Sequence, residues 1–224
     1  MTYSQLSEDM KNEFTEKCMA LLSRKRASLA VKRAFDIIVS LIILIVLSPL
    51  LLLIALAVKL DSKGPVFYRQ VRVGRYGKDF RIYKFRTMVQ DADKVGPPLT
   101  MGRDPRITRV GGLIRKCRLD EFSQLFNVLG GSMSLVGPRP EVRRYVEKYK
   151  PEYMQTLLIR PGVTAPSSIA FKDEDKILNA ESDPEKVYVE KILPPKMELN
   201  LEYMKDMSVL NDVKIIFKTL SAVF

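Results

Sequence analysis

The pattern of apolar and polar positions divides the chain into three parts. Residues 1–28 are polar, with a loose apolar stripe at helical spacing (Met10, Phe14, Cys18 and Leu21-Leu22) that predicts an N-terminal amphipathic extension. Between Asp36 and Lys59 no residue is charged, a run long enough to cross a bilayer at ~20 residues per span. The run is too long for a secretory signal peptide. Segment 29–62 is therefore predicted to enter a membrane.

Two membrane arrangements fit this segment. Ser48-Pro49 lies at its middle, where proline removes a backbone donor and disturbs a helix. The segment is then either a spanning helix with a kink or a re-entrant hairpin that turns at Ser48-Pro49. Cations flank it on both sides, with Lys32 and Arg33 before it and Lys59 after it, so charge sets no orientation unless both ends lie on one side. The residues alone leave both arrangements open.

Residues 63–224 have the alternation of a folded, water-exposed domain. Residues 66–73 and 80–87 are rich in β-formers and are joined by a glycine-containing turn, which predicts a β-hairpin. Strand alternation places Lys84 and Arg86 on one face. The two cations either point toward one ligand or lie in solvent on an edge strand. The remaining segments are predicted to be helical. They are 113–131, a helix that begins at Pro140, 184–192, 195–206 and 211–224. The predicted fold is mainly α with a small β-hairpin.

The most informative stretch runs from Leu113 to Gly131. It sets two adjacent acids, Asp120 and Glu121, just after the cations Arg115 and Arg118. An acid pair beside cations is what metal-assisted phosphoryl transfer requires, because a carboxylate can attack or bind metal while cations neutralise phosphate oxygens. Acids in the first turn of a helix are, however, far more often helix caps than nucleophiles. Both interpretations stay open at this point.

Two further patterns carry possible chemistry. Asp91-Ala-Asp93 has the spacing by which many glycosyltransferases hold a metal and a nucleotide diphosphate, although in a charged loop solvated acids are the usual explanation. Pro138-Arg139-Pro140 is a stiff turn that presents one arginine, whose planar fork suits a phosphate. The alternative for Arg139 is a solvated position at a helix entry.

Composition narrows the chemistry. The chain has 37 Lys and Arg against 26 Asp and Glu, a net charge of +11 that suggests an anionic partner. Histidine is absent, which excludes Ser-His-Asp triads and His-ligated zinc. Cys18 and Cys117 are far apart and in no metal spacing, which favours a reducing compartment. Basic and aromatic residues do not interleave as in nucleic-acid binders, so no nucleic acid is expected.

Six motifs in order resemble one family. They are Lys32-Arg33 with Asp36, Ser48-Pro49, Ile82-Tyr-Lys-Phe-Arg-Thr87, Asp104-Pro-Arg-Ile-Thr108, Leu119-Asp-Glu121 with Gln124-Leu-Phe-Asn-Val-Leu129, and Met133-Ser-Leu-Val-Gly-Pro-Arg-Pro140. From about residue 30 onward the chain resembles the bacterial sugar transferases, the monotopic polyprenol-phosphate phosphoglycosyl transferases that begin capsule, O-antigen, lipopolysaccharide and exopolysaccharide assembly. The resemblance implies a re-entrant helix-break-helix turning at Ser48-Pro49 and a cytoplasmic catalytic domain over 63–224. It places the protein at the cytoplasmic face of the bacterial inner membrane.

The resemblance also implies a reaction. A sugar-1-phosphate passes from a UDP-sugar to undecaprenyl phosphate with release of UMP, Asp120 being the nucleophile and Glu121 a ligand of Mg²⁺. The cations expected near the phosphates are Lys84, Arg86, Arg115, Arg118 and Arg139. Lys32 and Arg33 are expected to meet membrane lipid phosphates. No four-helix membrane extension precedes the matched region, so the resemblance implies a minimal catalytic unit.

The chain departs from the family pattern after Pro161-Gly162. Many members continue with Ile-Thr-Gly-Trp-Ala-Gln-Val, whereas this chain continues from Val163 to Ile169 without tryptophan. The donor sugar, the glycan pathway and the oligomeric state, a homodimer being one option, stay open. Two rival functions also stay open. One is a membrane-attached glycosyltransferase using Asp91 and Asp93 and releasing UDP, and the other is a non-enzymatic membrane-anchored module that binds polyanions.

Overall fold

The fold consists of α-helices around two pairs of short strands. The computed structural model describes residues 3–92, 104–179 and 181–223. Its strands are β1 (Phe67–Val73), β2 (Asp79–Phe85), β3 (Ser134–Val136) and β4 (Gly162–Thr164). Its helices are α1 (Glu13–Arg24), α2 (Arg26–Asp61), α3 (Arg109–Lys116), α4 (Leu125–Leu129), α5 (Arg143–Val146), α6 (Pro166–Ala170), α7 (Glu174–Asn179), α8 (Pro184–Val187), α9 (Leu193–Lys205) and α10 (Val209–Val223). The prediction of a mainly helical chain with a small hairpin is confirmed.

Helix α2 is continuous over 36 residues, with Pro49 inside it. At 1.5 Å per residue it is about 54 Å long, whereas a bilayer core is about 30 Å thick. Among the described residues it is the helix whose length and composition would allow it to cross a membrane. Helical structure runs through Ser48-Pro49, so the chain does not reverse into a hairpin of two separate segments there. The re-entrant placement in a membrane stays a prediction.

Both halves of α2 contact the rest of the protein along one stripe. Lys32, Asp36, Ser40 and Leu44 are buried before the proline, and Leu51, Ile54 and Val58 are buried after it. The opposite face presents large apolar side chains to the outside, among them Ile38, Ile45, Val46, Leu52 and Leu53. A surface of this size that stays apolar in a folded protein marks a contact with lipid or with another protein.

The predicted β-hairpin is confirmed. β1 and β2 pair antiparallel, with Phe67 opposite Phe85 at the open end. The turn between them places Tyr76 in left-handed backbone (φ 63°). A second sheet of β3 paired in parallel with β4 was not predicted from the sequence. Gly137 and Gly162 approach so closely beside this sheet that a Cβ on Gly162 would lie 2.1 Å from the nitrogen of Gly137.

The spacing had predicted one helix over 113–131, and this prediction is wrong. α3 ends at Lys116, and Arg118 adopts left-handed backbone (φ 51°). A 3₁₀-helix, Leu119–Gln124, follows and continues directly into α4. The break at Arg118 changes the direction in which Asp120 and Glu121 point relative to the cations of α3. The helix predicted after Pro140 is also shorter than expected, a single turn in α5.

The N-terminal residues contribute to the shared core. Met10 is fully buried and Cys18 is nearly so, whereas Leu21 on the predicted stripe is exposed. Asn12 caps α1 through its side chain, which accepts from the nitrogen of Thr15, and its amide donates to Pro151 O at 3.1 Å. Residues 3–24 therefore pack on the segment around 151–158, as part of the folded body. The predicted tail helices correspond to α8 with the following π-turn, α9 and α10.

Candidate active site

The acid pair is held by the junction between α3 and β2. Thr108 caps α3 by accepting from Gly111 N at 3.0 Å, and Asp61 at the end of α2 accepts from Val110 N at 2.9 Å. Gly111 has no room for a side chain, because a Cβ there would lie 2.1 Å from Thr87 O. This close approach sets the start of α3 against the end of the hairpin. The left-handed turn at Arg118 then directs the 3₁₀-helix that carries Asp120 and Glu121 toward β2.

Asn127 and Ser123 fix β2 beside the acids. The Asn127 side chain accepts from Tyr83 N at 2.8 Å and donates to Arg81 O at 2.9 Å. The Ser123 hydroxyl contacts Tyr83 O at 3.1 Å and Asp120 O at 3.2 Å. These bonds satisfy backbone groups of the strand edge and bring Lys84, the next residue of β2, next to the 3₁₀-helix.

Arg139 comes from the loop after β3. The Pro138–Pro140 turn is tied to the hairpin, because Arg72 donates to Pro140 O at 3.1 Å and Val73 N donates to Glu141 O at 2.9 Å. The prediction of a rigidly presented arginine agrees with these contacts. Its guanidinium points toward the acid pair.

Glu121 is the centre of a three-residue ion cluster. Its Oε1 accepts from Lys84 Nζ at 2.7 Å and from Arg139 Nη2 at 2.7 Å. Burial alone would raise the pKa of Glu121, but the charges of Arg139 and Lys84 outweigh it and hold that pKa well below the ordinary value. In turn, the carboxylate of Glu121 raises the pKa of Arg139. The Glu121 carboxylate therefore positions two cations beside it.

Asp120, its neighbour, has the opposite shift. Burial raises the pKa of Asp120 above the ordinary value, and Lys84 and Arg115 oppose that shift through their charges while Glu121 adds to it. Consecutive residues of a 3₁₀-helix point about 120° apart, so the two carboxylates face different partners. The pair thus offers two carboxylates with distinct electrostatic environments.

A polar cavity of about 500 Å³ opens over the acid pair. Lys84, Arg115, Arg118, Asp120, Glu121 and Arg139 all line it, so the structure brings together six of the residues selected from sequence. The full lining carries seven Lys and Arg side chains against three carboxylates, which gives a net positive chamber. Such a chamber suits a diphosphate, since Arg and Lys bind phosphate oxygens through charge-assisted hydrogen bonds.

Arg86 lies elsewhere. The strand ends at Phe85, so the alternation that paired Arg86 with Lys84 does not extend to it. Its guanidinium is buried under α2, where it donates to Val58 O at 3.1 Å and Ser62 O at 2.6 Å. It satisfies carbonyls at the C-terminus of α2.

Lys32 and Arg33 also point into the protein. Lys32 is buried, donates to Val136 O at 3.1 Å and pairs with Asp212 and with Asp36. Arg33 donates to Leu129 O at 3.3 Å and Met133 O at 3.4 Å. The structure therefore places both side chains against protein groups, where the sequence had suggested lipid phosphates. Ser48 Oγ donates to Ile45 O within α2.

A second buried network was missed by the sequence analysis. Lys196 is almost fully buried, donates to Glu174 at 2.8 Å and to the Tyr188 hydroxyl at 3.2 Å, and lies 3.8 Å from Glu141. Tyr188 in turn donates to Glu141 at 2.6 Å. Lys196 and Glu174 border the polar cavity. No local pattern marks these residues, because they come from four separate segments: the loop after β3, α7, the π-turn 188–192 and α9.

The donor set is compatible with Mg²⁺ shared with a ligand. Mg²⁺ is usually held by one or two carboxylates together with substrate phosphates and waters. The carboxylate of Glu121, in a cavity whose cations suit a phosphate ligand, meets this requirement. Among the described residues no cluster of three or more Asp, Glu, Cys or His side chains forms a cage of its own.

The alternative Asp-x-Asp site is only partly described. Asp91 is exposed, has left-handed backbone (φ 58°) and does not line the polar cavity. Asp93 lies outside the described residues.

Comparison with known proteins identifies the family. Residues 27–224 match the family described as bacterial sugar transferase, and the chain belongs to that family. It is 40% identical over 196 residues to an Aeromonas hydrophila UDP-N-acetylgalactosamine-undecaprenyl-phosphate N-acetylgalactosaminephosphotransferase, covering 86% of this chain and 43% of the relative. It is 43% identical over 193 residues to the UDP-glucose:undecaprenyl-phosphate glucose-1-phosphate transferase of Escherichia coli K12, covering 84% and 39%. An exopolysaccharide production protein of Rhizobium leguminosarum is 40% identical over 199 residues, covering 85% of this chain and 94% of the relative.

The chain thus spans about two fifths of the length of the first two relatives. Their names carry different sugars, N-acetylgalactosamine and glucose, on the same lipid phosphate. Membership of the family therefore leaves the donor sugar undetermined.

Proposed function

We propose that this protein transfers a sugar-1-phosphate from a UDP-sugar to undecaprenyl phosphate and releases UMP. The observation that carries the proposal is the polar cavity, in which Asp120 and Glu121 face Lys84, Arg115, Arg118 and Arg139. Its charge matches a diphosphate, and the named relatives act on undecaprenyl phosphate.

The proposed chemistry has two displacements at one phosphorus. A carboxylate oxygen of Asp120 attacks the β-phosphorus of the UDP-sugar, the bond from that phosphorus to the bridging oxygen breaks, and UMP leaves with that oxygen. A phosphate oxygen of undecaprenyl phosphate then attacks the same phosphorus and releases the Asp120 carboxylate. Splitting the transfer in this way is ordinary nucleophilic catalysis by a carboxylate.

The remaining charged residues have positioning roles in this mechanism. Lys84 and Arg139 are fixed by Glu121 at the edge of the chamber, where they can neutralise phosphate oxygens of both substrates. Such prearranged cations stabilise the charge that develops during transfer. Glu121 would hold Mg²⁺, which when bound offsets charge on the diphosphate.

Membrane attachment through α2 completes the proposal. Both halves of α2 pack on the same folded body while its other face is apolar and exposed. A helix that kinks at Pro49, dips into one leaflet and keeps both ends on one side would account for both observations. This arrangement would keep the chamber at the cytoplasmic face of the inner membrane, where nucleotide sugars are present.

The test is nucleotide release by purified protein with Mg²⁺, undecaprenyl phosphate and a panel of UDP-sugars. We expect UMP with at least one donor, and its loss in Asp120→Asn. Asp79→Asn is the matched control, because Asp79 is an exposed acid of the hairpin whose ion pair with Arg143 contributes little.

The other outcomes identify the rivals. Release of UDP would assign the chemistry to Asp91 and Asp93 and make the protein a glycosyltransferase. Absence of both nucleotides, in folded protein with every donor tested, would favour a polyanion-binding module. Unchanged UMP release by Asp120→Asn would contradict the proposed nucleophile.

A further inference from the structure

A second cavity of opposite character adjoins the polar one. It is an apolar groove of about 190 Å³ between α2 and α10, with Val39 and Ile43 on one side and Ile216 and Leu220 on the other. Both walls are helices that present apolar side chains, and α2 carries the exposed apolar face next to the groove. The groove thus links the active site to the surface proposed to face lipid.

The two cavities share one wall, which we call the seam. Its residues line both cavities: Arg118, Glu121, Arg139, Ser168 and Lys172. Three of the five are cations, and one is the carboxylate that holds Arg139. A ligand crossing the seam would place a polar, anionic part in the chamber and an apolar part in the groove.

Ser168 supplies independent evidence for a ligand at the seam. Its hydroxyl is buried and has no hydrogen-bond partner in the part of the chain that the structure describes. Buried polar groups are almost always hydrogen-bonded, so each exception requires an explanation. Ser40, Arg86 and Gln124 also have an unpartnered buried atom, but Ser168 alone among these four lines the two cavities at the active site.

The neighbouring contacts explain why this hydroxyl is available. Ser167, the adjacent residue of α6, donates to Asn200 at 2.8 Å and is anchored to α9. Arg118 donates to Lys172 O at 2.8 Å, and Lys172 donates to Ala222 O of α10 at 3.2 Å. The segment around the seam is therefore tied to α9 and α10, and Ser168 lies on the wall that both cavities share.

We propose that the seam and the groove form the acceptor subsite, with Ser168 donating a hydrogen bond to the acceptor phosphate and the start of its polyisoprenyl chain lying between α2 and α10. The proposal rests on the proposed function for the identity of the acceptor. A polyprenyl phosphate fits because it is an anion directly attached to an apolar chain. A UDP-sugar is polar at both ends and gains nothing from an apolar groove.

The kinetic test separates the two substrates. Ser168→Ala removes one hydrogen bond to a charged group and is expected to raise KM for undecaprenyl phosphate about tenfold. Ile216→Trp fills the groove and is expected to raise the same KM, with KM for the UDP-sugar unchanged in both variants. The Ile216→Trp effect should vanish with a one-isoprene phosphate acceptor, which is too short to use the groove.

Each kind of substitution has a control at an exposed position. Leu210→Trp adds the same bulk to an exposed position of α10, and Ser23→Ala removes an exposed hydroxyl. Leu220→Trp, at a half-exposed groove position, repeats the test should Ile216→Trp fail to fold. A rise in KM for the UDP-sugar, or an unchanged KM for the acceptor, would overturn the proposal.

Photocrosslinking tests the subsite without turnover. A photoreactive polyprenyl phosphate in detergent micelles should label peptides containing residues 39–43 and 216–222, and Leu220→Trp should reduce that labelling. Labelling elsewhere, or equal labelling by a phospholipid carrying the same group, would overturn the acceptor subsite even if UMP is released. Labelling of the groove without UMP release would retain the subsite and reject the proposed function.

Discussion

Replacing Lys32 by methionine tests whether this residue belongs to the protein interior or to the lipid interface. Lys32 is 7% exposed, and its ammonium pairs with Asp212, which is fully buried, and with Asp36, which is 1% exposed. Methionine conserves most of the side-chain volume, so the variant removes the charge and leaves two buried carboxylates without their cation. The Tyr203 hydroxyl continues to donate to Asp212 at 2.7 Å.

The expected cost follows from the burial of these groups. Removing one partner of a buried ion pair costs about 3–5 kcal/mol, because the other charge stays buried without compensation. For a chain of this size that corresponds to a Tm lower by roughly 6–20 °C. The double variant Lys32→Met/Asp212→Asn should recover a large part of the lost stability, because the effects of substitutions within one buried network do not add.

The stability loss of Lys32→Met should also depend on pH, in a direction set by the pKa of Asp212. Burial raises the pKa of Asp212 above its ordinary 3.8, and Lys32 is the largest influence opposing it. A carboxyl whose folded pKa is raised contributes stability that is present below the unfolded pKa and lost as pH rises through the folded pKa. Without Lys32 that pKa should rise further. The Tm deficit of Lys32→Met should therefore shrink as the pH falls from neutral, because Asp212 takes up a proton.

The assay is thermal unfolding in detergent followed by circular dichroism, together with binding to anionic vesicles. Lys59→Met is the control, because Lys59 lies at the exposed end of the same helix and should change the free energy of unfolding by less than ~0.5 kcal/mol. A Lys32→Met protein with unchanged Tm but weaker binding to anionic vesicles would refute the reasoning. It would return Lys32 to the lipid contact suggested by the sequence, worth about 1 kcal/mol.

Three smaller predictions concern other parts of the fold. Met10→Ala should lower the free energy of unfolding by about 2–4 kcal/mol, because Met10 is fully buried, whereas the exposed Leu21→Ala should change it little on chemical denaturation. Asn127→Ala should lower the free energy of unfolding by about 2 kcal/mol on chemical denaturation, because Tyr83 N and Arg81 O lose their partner. The same variant should release UMP more slowly in the nucleotide assay, because Lys84 is held less firmly. Cys18, whose pKa burial raises to about 11, should resist maleimide at neutral pH until the protein unfolds, while the half-buried Cys117 should react in the folded state; equal labelling rates by mass spectrometry would contradict this.

Local periodicity explains what the sequence predicts well. The hairpin, the long apolar helix and the tail helices follow from periods of two and 3.6 residues. Lys84, Asp120, Glu121 and Arg139 meet in one cavity, as the ordered motifs suggested.

Long-range packing explains what the sequence could not predict. The break at Arg118 uses left-handed backbone at a residue other than glycine, so no turn signal marks it. β3 and β4 are three residues each and pair across a long separation, which leaves no alternation to detect. Lys32 stands beside a membrane segment in sequence, yet its partner Asp212 is 180 positions away. In each case the deciding contact is absent from the neighbouring residues.

The opposite pKa shifts of Asp120 and Glu121 indicate which of the two acids is the nucleophile. Two cations hold the pKa of Glu121 well below the ordinary range, whereas burial raises that of Asp120. Neighbouring carboxylates whose environments separate their pKa values in this way commonly have different roles. Glu121 is already committed to Lys84 and Arg139, so an attack by its carboxylate would dismantle the cation pair that must neutralise the phosphates. Asp120 has the more basic carboxylate and can react while that pair stays in place, which is why we infer that Asp120 is the nucleophile and Glu121 the residue that organises the charges around it.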